Sequence, residues 1–150
     1  MLPELQPDPK LPDTLIGAVP FGGRMVALII VPDGSTSEAV MGSASCAVDT
    51  LAELDSLARK VAAKKLLPEY NSSWRRFSRV GPDGRVLEIT EPELAEHDFI
   101  VRLTLTSLEA VGDSCLTLGY DDDQMFAGHS VLVTSFDGVR FADAHAELFG

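Results

Sequence analysis

The chain has 150 residues, of which 45% are hydrophobic, and a formal net charge of −11. This length fits one domain with a packed core, and the composition excludes an intrinsically disordered chain. No apolar run approaches the roughly 20 residues that span a bilayer, and the first residues lack the features of a signal peptide, so we expect a cytoplasmic protein that does not bind membranes.

The negative charge is concentrated in the last 60 residues. Residues 1–90 carry 11 acidic and 10 basic side chains, whereas residues 91–150 carry 12 acidic side chains and two basic ones, Arg102 and Arg140. A surface of this kind repels nucleic-acid phosphates and attracts a cation or a basic protein. The alternative is that the charge serves solubility alone.

The beginning of the chain predicts an extended lead-in followed by a β-hairpin. Residues 1–13 carry four prolines and are expected to be disordered, so a single folded domain is assigned to residues 14–150. Within it, residues 14–21 and 24–31 have strand-like composition. Gly22-Gly23 joins them and supplies the positive φ angles of a tight turn.

The middle of the chain predicts two or three helices. Three Ser/Thr-x-x-Glu capping boxes each mark the start of a helix. The predicted helices span residues 36–48, 51–67 and 91–101. Pro68 is expected to end the second, Asp55 and Arg59 are expected to pair on its solvent side, and residues 68–90 are predicted to form a loop.

The end of the chain predicts an antiparallel β-meander. The predicted strands span residues 103–111, 114–120, 129–135 and 139–142. A break in the alternation of apolar residues predicts a β-bulge near Thr106-Ser107. With the N-terminal hairpin and helices on one side of the sheet, the fold class is α+β.

The segment between Tyr120 and Ser130 holds the candidate functional residues. They are Asp121, Asp122, Asp123, Phe126, Gly128, His129 and Ser130. Asp121, Asp123 and His129 could bind a divalent cation, although their spacing does not fit a calcium loop. His129 and Ser130 are adjacent on a predicted strand and point to opposite faces, so they cannot act as a base and its nucleophile.

A structural role is the alternative for the same loop. Its aspartates can cap strand ends, Gly128 can supply an unusual backbone angle, and Phe126 can enter the core. His129 can fix the loop through a ring hydrogen bond to the backbone. A third possibility is that the acidic loop binds a basic partner.

Two further features have simple interpretations. The segment Trp74–Arg79 interleaves aromatic residues with arginines, as in some nucleic-acid binders, but the overall charge argues against nucleic acid. We expect Trp74 and Phe77 to pack in the core instead. Cys46 and Cys115 are predicted to be reduced, since no export signal is visible; a disulfide between them is the alternative.

The order of these segments resembles a bacterial family, domain of unknown function 2262, over about residues 14–146. The resemblance lies in Ala-Ala-Lys-Lys-Leu-Leu (62–67), Trp74, residues 93–100 and the loop 121–130, where Phe-x-Gly-His-Ser is the specific part. Family members usually have an aromatic residue in place of Ala127 and often an acidic one in place of Gln124. Both departures argue against a metal site in the loop. The resemblance implies the order of the secondary-structure elements but no mechanism.

The sequence therefore favours a non-enzymatic domain, without a cofactor, that binds an unknown protein partner, and its acidic charge would suit a basic one. An immunity-type inhibitor of a basic toxin would fit this description. The alternative is a small metal-binding module or metal-dependent hydrolase that uses a divalent cation at Asp121, Asp123 and His129. We expect a monomer or weak homodimer, because edge strands can pair between chains.

Overall fold

The computed structural model describes all 150 residues as an α+β fold with one large sheet, three helices and a separate hairpin. The strands are β1 Gln6–Pro7, β2 Leu15–Phe21, β3 Arg24–Val31, β4 Arg76–Val80, β5 Val86–Thr90, β6 Thr104–Val111, β7 Cys115–Asp121, β8 Ser130–Ser135 and β9 His145–Phe149. The helices are α1 Ser37–Asp49, α2 Leu51–Glu69 and α3 Glu96–Arg102.

The large sheet has seven strands in the order β1-β2-β3-β6-β7-β8-β9. The N-terminal hairpin and the C-terminal antiparallel meander are confirmed. One pair departs from the expected antiparallel pairing, because β3 and β6 run parallel. The reason is their connection, which is a long crossover containing all three helices and not a short turn.

The core lies between the helices and one face of this sheet. Alternate side chains of the central strands, such as Leu28, Leu108 and Leu118, are fully buried with Leu54 and Ala58 of α2. Because strand side chains alternate between faces, the intervening residues point away from the helices. The helices therefore cover one side of the sheet, as predicted, and leave the other side open.

Local sequence signals in the strands are confirmed. Gly22 and Gly23 both have positive φ angles, and together they form the two-residue turn that joins β2 to β3. The register of β6 against β7 shifts between Leu105 and Ser107, which is the predicted bulge. Both features depend on neighbouring residues alone, so the sequence contains the information that determines them.

Two helix boundaries differ from the prediction. Pro68 does not end α2, since it lies one residue before the end, and a π-helical turn over Tyr70–Trp74 follows. The third helix begins at Glu96 and not at residue 91. Residues 91–95 stay extended because Asn71 exchanges two hydrogen bonds with the backbone of Leu94.

Two strands were misplaced by sequence pattern. Residues 76–90 form the β4–β5 hairpin and not a loop. The last strand is β9 and not residues 139–142, because Gly138–Arg140 forms a 3-10 turn. The Asp137 carboxylate holds that turn, accepting hydrogen bonds from the Ser135 hydroxyl (2.8 Å) and the Ala142 N–H (3.2 Å).

The N-terminal lead-in also differs from the predicted disordered segment. Gln6–Pro7 pairs with β2, and Leu2 and Leu5 pack against the core. Gly17 makes this packing possible, because a Cβ atom there would lie 2.8 Å from the Glu4 carbonyl oxygen. None of the three helices has the length and hydrophobicity that a membrane span requires, and both cysteines are free thiols.

Candidate functional site

Asp122 is the centre of the loop that joins β7 to β8. Its side chain is fully buried, and its carboxylate accepts three backbone N–H groups. The donors are Gln124 (3.0 Å), Phe126 (2.8 Å) and Gly128 (3.1 Å). These bonds satisfy the buried charge and hold the loop in a tight coil. The coil needs positive φ angles at Asp123, Gln124, Ala127 and Gly128.

Phe126 anchors the coil in the core, as the sequence predicted. It is fully buried and makes edge-to-face contacts with three aromatic rings. The ring centroids of Tyr70, Trp74 and Phe99 lie 6.0, 5.6 and 6.2 Å from that of Phe126. Tyr70 and Trp74 belong to the π-helical turn and Phe99 to α3. The loop therefore joins the helical layer to the sheet.

His129 is also used inside the loop. Its Nδ1 atom donates to the carbonyl oxygen of Phe126, at 2.5 Å, since a carbonyl can only accept. The imidazole also lies edge-to-face on Trp74, with centroids 5.7 Å apart. This bond fixes the tautomer and orientation of the ring.

Asp123 forms an ion pair and a hydrogen bond with Arg102, the last residue of α3. Its carboxylate lies 2.9 Å from the Arg102 Nε atom, and its carbonyl oxygen accepts from Arg102 Nη2, also at 2.9 Å. Partial burial lowers the pKa of Arg102, but the neighbouring Asp123 carboxylate and Tyr70 hydroxyl outweigh it and the pKa is raised. The guanidinium is thus a permanent cation that positions this side of the loop.

Asp121 and Ser130 are exposed at the two ends of the loop. By strand alternation, both point to the side of the sheet away from the helices, opposite to Tyr120 and Val131. The sequence-predicted residues are thus divided. Asp122, Phe126 and His129 come together with the Gly128 backbone, whereas the Asp121 and Ser130 side chains do not join them.

The three proposed metal ligands do not form a metal-binding group. Nowhere does the chain bring three His, Cys, Asp or Glu side chains together in a way that could hold a metal ion. Asp123 is paired with Arg102, and the Nδ1 atom of His129 is bonded to a carbonyl. What the coil offers chemically is a fixed set of exposed carboxylates beside a packed aromatic cluster.

Sequence comparison places these features in a family. Residues 4–145 match a family described as an uncharacterised protein conserved in bacteria, domain of unknown function 2262. The chain belongs to this family. No curated protein and no solved structure is similar enough to the chain to count as a match. Membership in domain of unknown function 2262 confirms the resemblance seen in the sequence, and the match includes the whole loop.

This member of the family has a second buried polar group that sequence reasoning only partly identified. Asp55 and Arg59 do pair on α2, but largely out of solvent, with a separation of 3.0 Å. The Tyr120 hydroxyl donates to Asp55 at 2.8 Å, and the Arg59 guanidinium lies 5.2 Å from the centroid of the Tyr120 ring. Burial, followed by the Asp55 charge, raises the pKa of Tyr120 well above its usual value. In the sequence, the only sign of this buried group is a tyrosine at the end of an apolar strand.

The two largest cavities of the chain lie away from the loop. One, of about 740 Å³, separates the lead-in from the start of α1, and the other, of about 770 Å³, lies between α2 and β9. Beside the loop there is a smaller cleft of about 460 Å³, lined by Trp74, Phe77 and Met125. The candidate residues 121–130 therefore do not line a deep cavity, and their exposed side chains form part of the outer surface.

Proposed function

We propose that this protein works by binding a basic partner protein through exposed carboxylates at the loop end of the molecule, without catalysing a reaction. An immunity-type inhibitor of a basic toxin is one form of this role. The proposal concerns Asp121 of the loop, together with Asp98 of α3, which lies one turn before Arg102 and on the same helix face.

The observation that carries the proposal is the lack of compensation for the negative charge. Of the 12 acidic side chains in residues 91–150, only Glu93 and Asp123 form ion pairs. Several others are exposed: Glu91, Glu96, Asp98, Asp113, Asp121, Asp143 and Glu147. Residues 1–90 carry ten basic side chains against 11 acidic ones, so they supply no net positive charge to offset this negative charge. An uncompensated field of this sign accelerates the capture of a basic protein.

The internal bonding of the loop supports recognition over reaction. The groups that could have served as acid, base or nucleophile are Asp122, Asp123 and His129, and each has a partner within the fold. The pairing of Asp121 with Thr104 in the sheet fixes its backbone, and therefore the direction in which its side chain leaves the sheet. Such preorganisation lowers the entropy that a partner's binding must overcome.

Charge reversal at the loop end provides the test. Wild type, Asp98→Lys and Asp121→Lys would be used as baits, and each partner found would be measured by calorimetry at low and high salt. Asp113→Lys is the matched control, because it makes the same charge change in the β6–β7 turn, at the opposite end of that hairpin. We expect both loop-end variants to weaken binding about tenfold or more and the control to have a smaller effect.

The competing metal hypothesis is tested on the same proteins. Melting temperatures would be measured with Mg²⁺, Ca²⁺, Mn²⁺ and Zn²⁺ added separately. Our proposal expects no shift that depends on Asp121. A shift that Asp121→Asn abolishes, or partner binding that ignores both salt and the loop-end variants, would contradict it.

A further inference from the structure

The β4–β5 hairpin, residues 76–90, is here called the arm, and it lies outside the core. Its large apolar side chains are exposed: Phe77 by 42%, Val80 by 70%, Val86 by 66% and Leu87 by 41%. None of them is among the side chains that pack against the core. A lone two-stranded ribbon is marginally stable in water, and exposed apolar groups this close together indicate an interaction surface.

One side of the arm combines apolar and basic groups. The register pairs Phe77 with Ile89 and Arg79 with Leu87, so these four side chains share one face of the ribbon. Arg79 on this face is exposed and has no carboxylate within ion-pair distance. Arg76, Val80 and Val86 lie on the opposite face of the ribbon. The arm therefore fits an apolar surface that carries negative charge.

The uncovered side of the seven-stranded sheet, here called the open face, is such a surface. The side chains that point away from the helices include Met25, Ile29, Glu109, Val111, Leu132 and Glu147. Met25 is 63% exposed. Glu109 and Glu147 form no ion pair. Burial and the nearby Glu109 and Asp33 carboxylates raise the pKa of the Cys115 thiol, which is consistent with a negative field at this face.

We propose that the arm of one molecule packs on the open face of a second copy, so that the protein forms a reciprocal homodimer. The arm begins after Trp74, which packs on the helix side of the sheet against Phe126. The open face of its own chain is on the other side, so a second copy supplies the surface. A two-fold axis makes both contacts at once, as in most homodimers. This inference goes beyond the proposed function, because it concerns the arm and the centre of the open face, whereas Asp121 lies at the edge of that face where β7 ends.

The size of the contact predicts a weak dimer. Each arm strand has five residues, so the ribbon covers roughly 17 Å by 10 Å of a partner sheet. Two such contacts, each covering both surfaces, bury about 700 Å², which is in the range of weak and transient complexes. We therefore expect association in the micromolar range.

Analytical ultracentrifugation of the purified protein, across a concentration series, is the primary test. We expect a monomer–dimer equilibrium that weakens about tenfold or more when Leu87 is changed to Ser. Leu57→Ser is the matched control, because Leu57 is equally exposed (43%, against 41% for Leu87) but lies on α2. Unchanged melting temperatures of both variants at low concentration verify that each is folded.

A charge exchange tests the assignment of the two surfaces. Arg79→Glu and Glu109→Lys should each raise the dimer dissociation constant, and the double variant should recover most of the loss because opposite charges again face one another. A monomer at all concentrations, or equal effects of Leu57→Ser and Leu87→Ser, would overturn the proposal. So would a monomer whose arm binds phosphatidylglycerol vesicles. The ultracentrifugation samples contain no other protein, so the outcome of this test does not depend on whether the loop binds a partner.

Discussion

Three consecutive aspartates in the loop have three different surroundings. Asp121 faces solvent, Asp122 is buried under three N–H donors, and Asp123 is paired with Arg102. A buried carboxylate is tolerated only when its oxygens are hydrogen-bonded, and the coil of residues 122–128 provides those bonds. Asp122 is thus a structural residue, whereas Asp121 is exposed, and we expect its substitution to have little effect on folding.

Tyr120 is a second residue whose polar atom is fixed inside the fold. Changing it to Phe removes the hydrogen bond to Asp55 and is expected to lower the free energy of unfolding by about 1.5–3 kcal/mol. Urea denaturation at neutral pH measures this loss. Tyr70→Phe alters another buried tyrosine, whose hydroxyl is near Arg102 and not bonded to a carboxylate. It serves as a comparison and should lose less.

The raised pKa of Tyr120 also predicts a pH dependence. Below about pH 10 the phenol is neutral in both states, and the protein keeps the full stability that this group contributes. Above that pH the unfolded chain ionises first, because the folded state resists ionisation of the buried phenol. Stability of the wild type should therefore fall more steeply above pH 10 than that of Tyr120→Phe. Parallel curves for the two proteins would show that the phenol does not titrate in this way.

At the scale of elements, Arg59 connects α2 to the end of α3. Its Nη1 atom donates to the carbonyl oxygens of Ile100 (2.7 Å) and Leu103 (2.6 Å), while its Nε atom contacts Asp55. The last carbonyl groups of a helix have no partner within the helix, and here an arginine from another helix supplies one. The short helix α3 therefore depends on α2.

Arg59→Lys should destabilise the protein although it keeps the charge. A lysine cannot contact Asp55 and both carbonyls with the geometry of a guanidinium. We expect a loss of about 2–4 kcal/mol, measured by urea denaturation. Lys60→Ala, the neighbouring exposed position on α2, should change stability by less than about 0.5 kcal/mol. Equal losses from the two changes would refute this role for Arg59.

The arm should behave differently from the sheet in hydrogen exchange. Because the β4–β5 side chains are exposed and lie outside the core, amides of residues 76–90 should exchange much faster than those of β6 and β7 in dilute protein. Protection of the arm should rise with protein concentration if the arms dock on second copies. Strong protection in dilute solution would mean that the arm is stable by itself.

At the scale of the whole molecule, the net charge of −11 acts against the compact state. Adding NaCl from about 0.02 M to about 0.2 M should raise the melting temperature, because screening shortens the range of the repulsion. A double variant, Glu53→Lys with Asp113→Lys, reduces the charge from −11 to −7 and should show a smaller rise. A fall in melting temperature with salt would show that ion pairs outweigh the repulsion.

Much of this fold was predictable because local signals determine it. Gly22-Gly23 specified a hairpin, and the broken alternation near Thr106 specified a bulge. Other features depend on partners distant in sequence. Asn71 keeps residues 91–95 extended, and the arm was missed because its arginines interrupt the alternation that marks a strand. In the loop, the residue types were visible, but only the fold shows which aspartate is buried.

The measurement that tests the account most directly compares two neighbouring aspartates. The free energy of unfolding would be determined by urea denaturation for Asp121→Asn and Asp122→Asn. We predict that Asp121→Asn stays within about 0.5 kcal/mol of wild type, because its side chain is exposed. Asp122→Asn should lose about 2–4 kcal/mol, because an amide cannot accept all three buried N–H groups. Equal effects, or a larger loss at Asp121, would contradict the structural role assigned to Asp122.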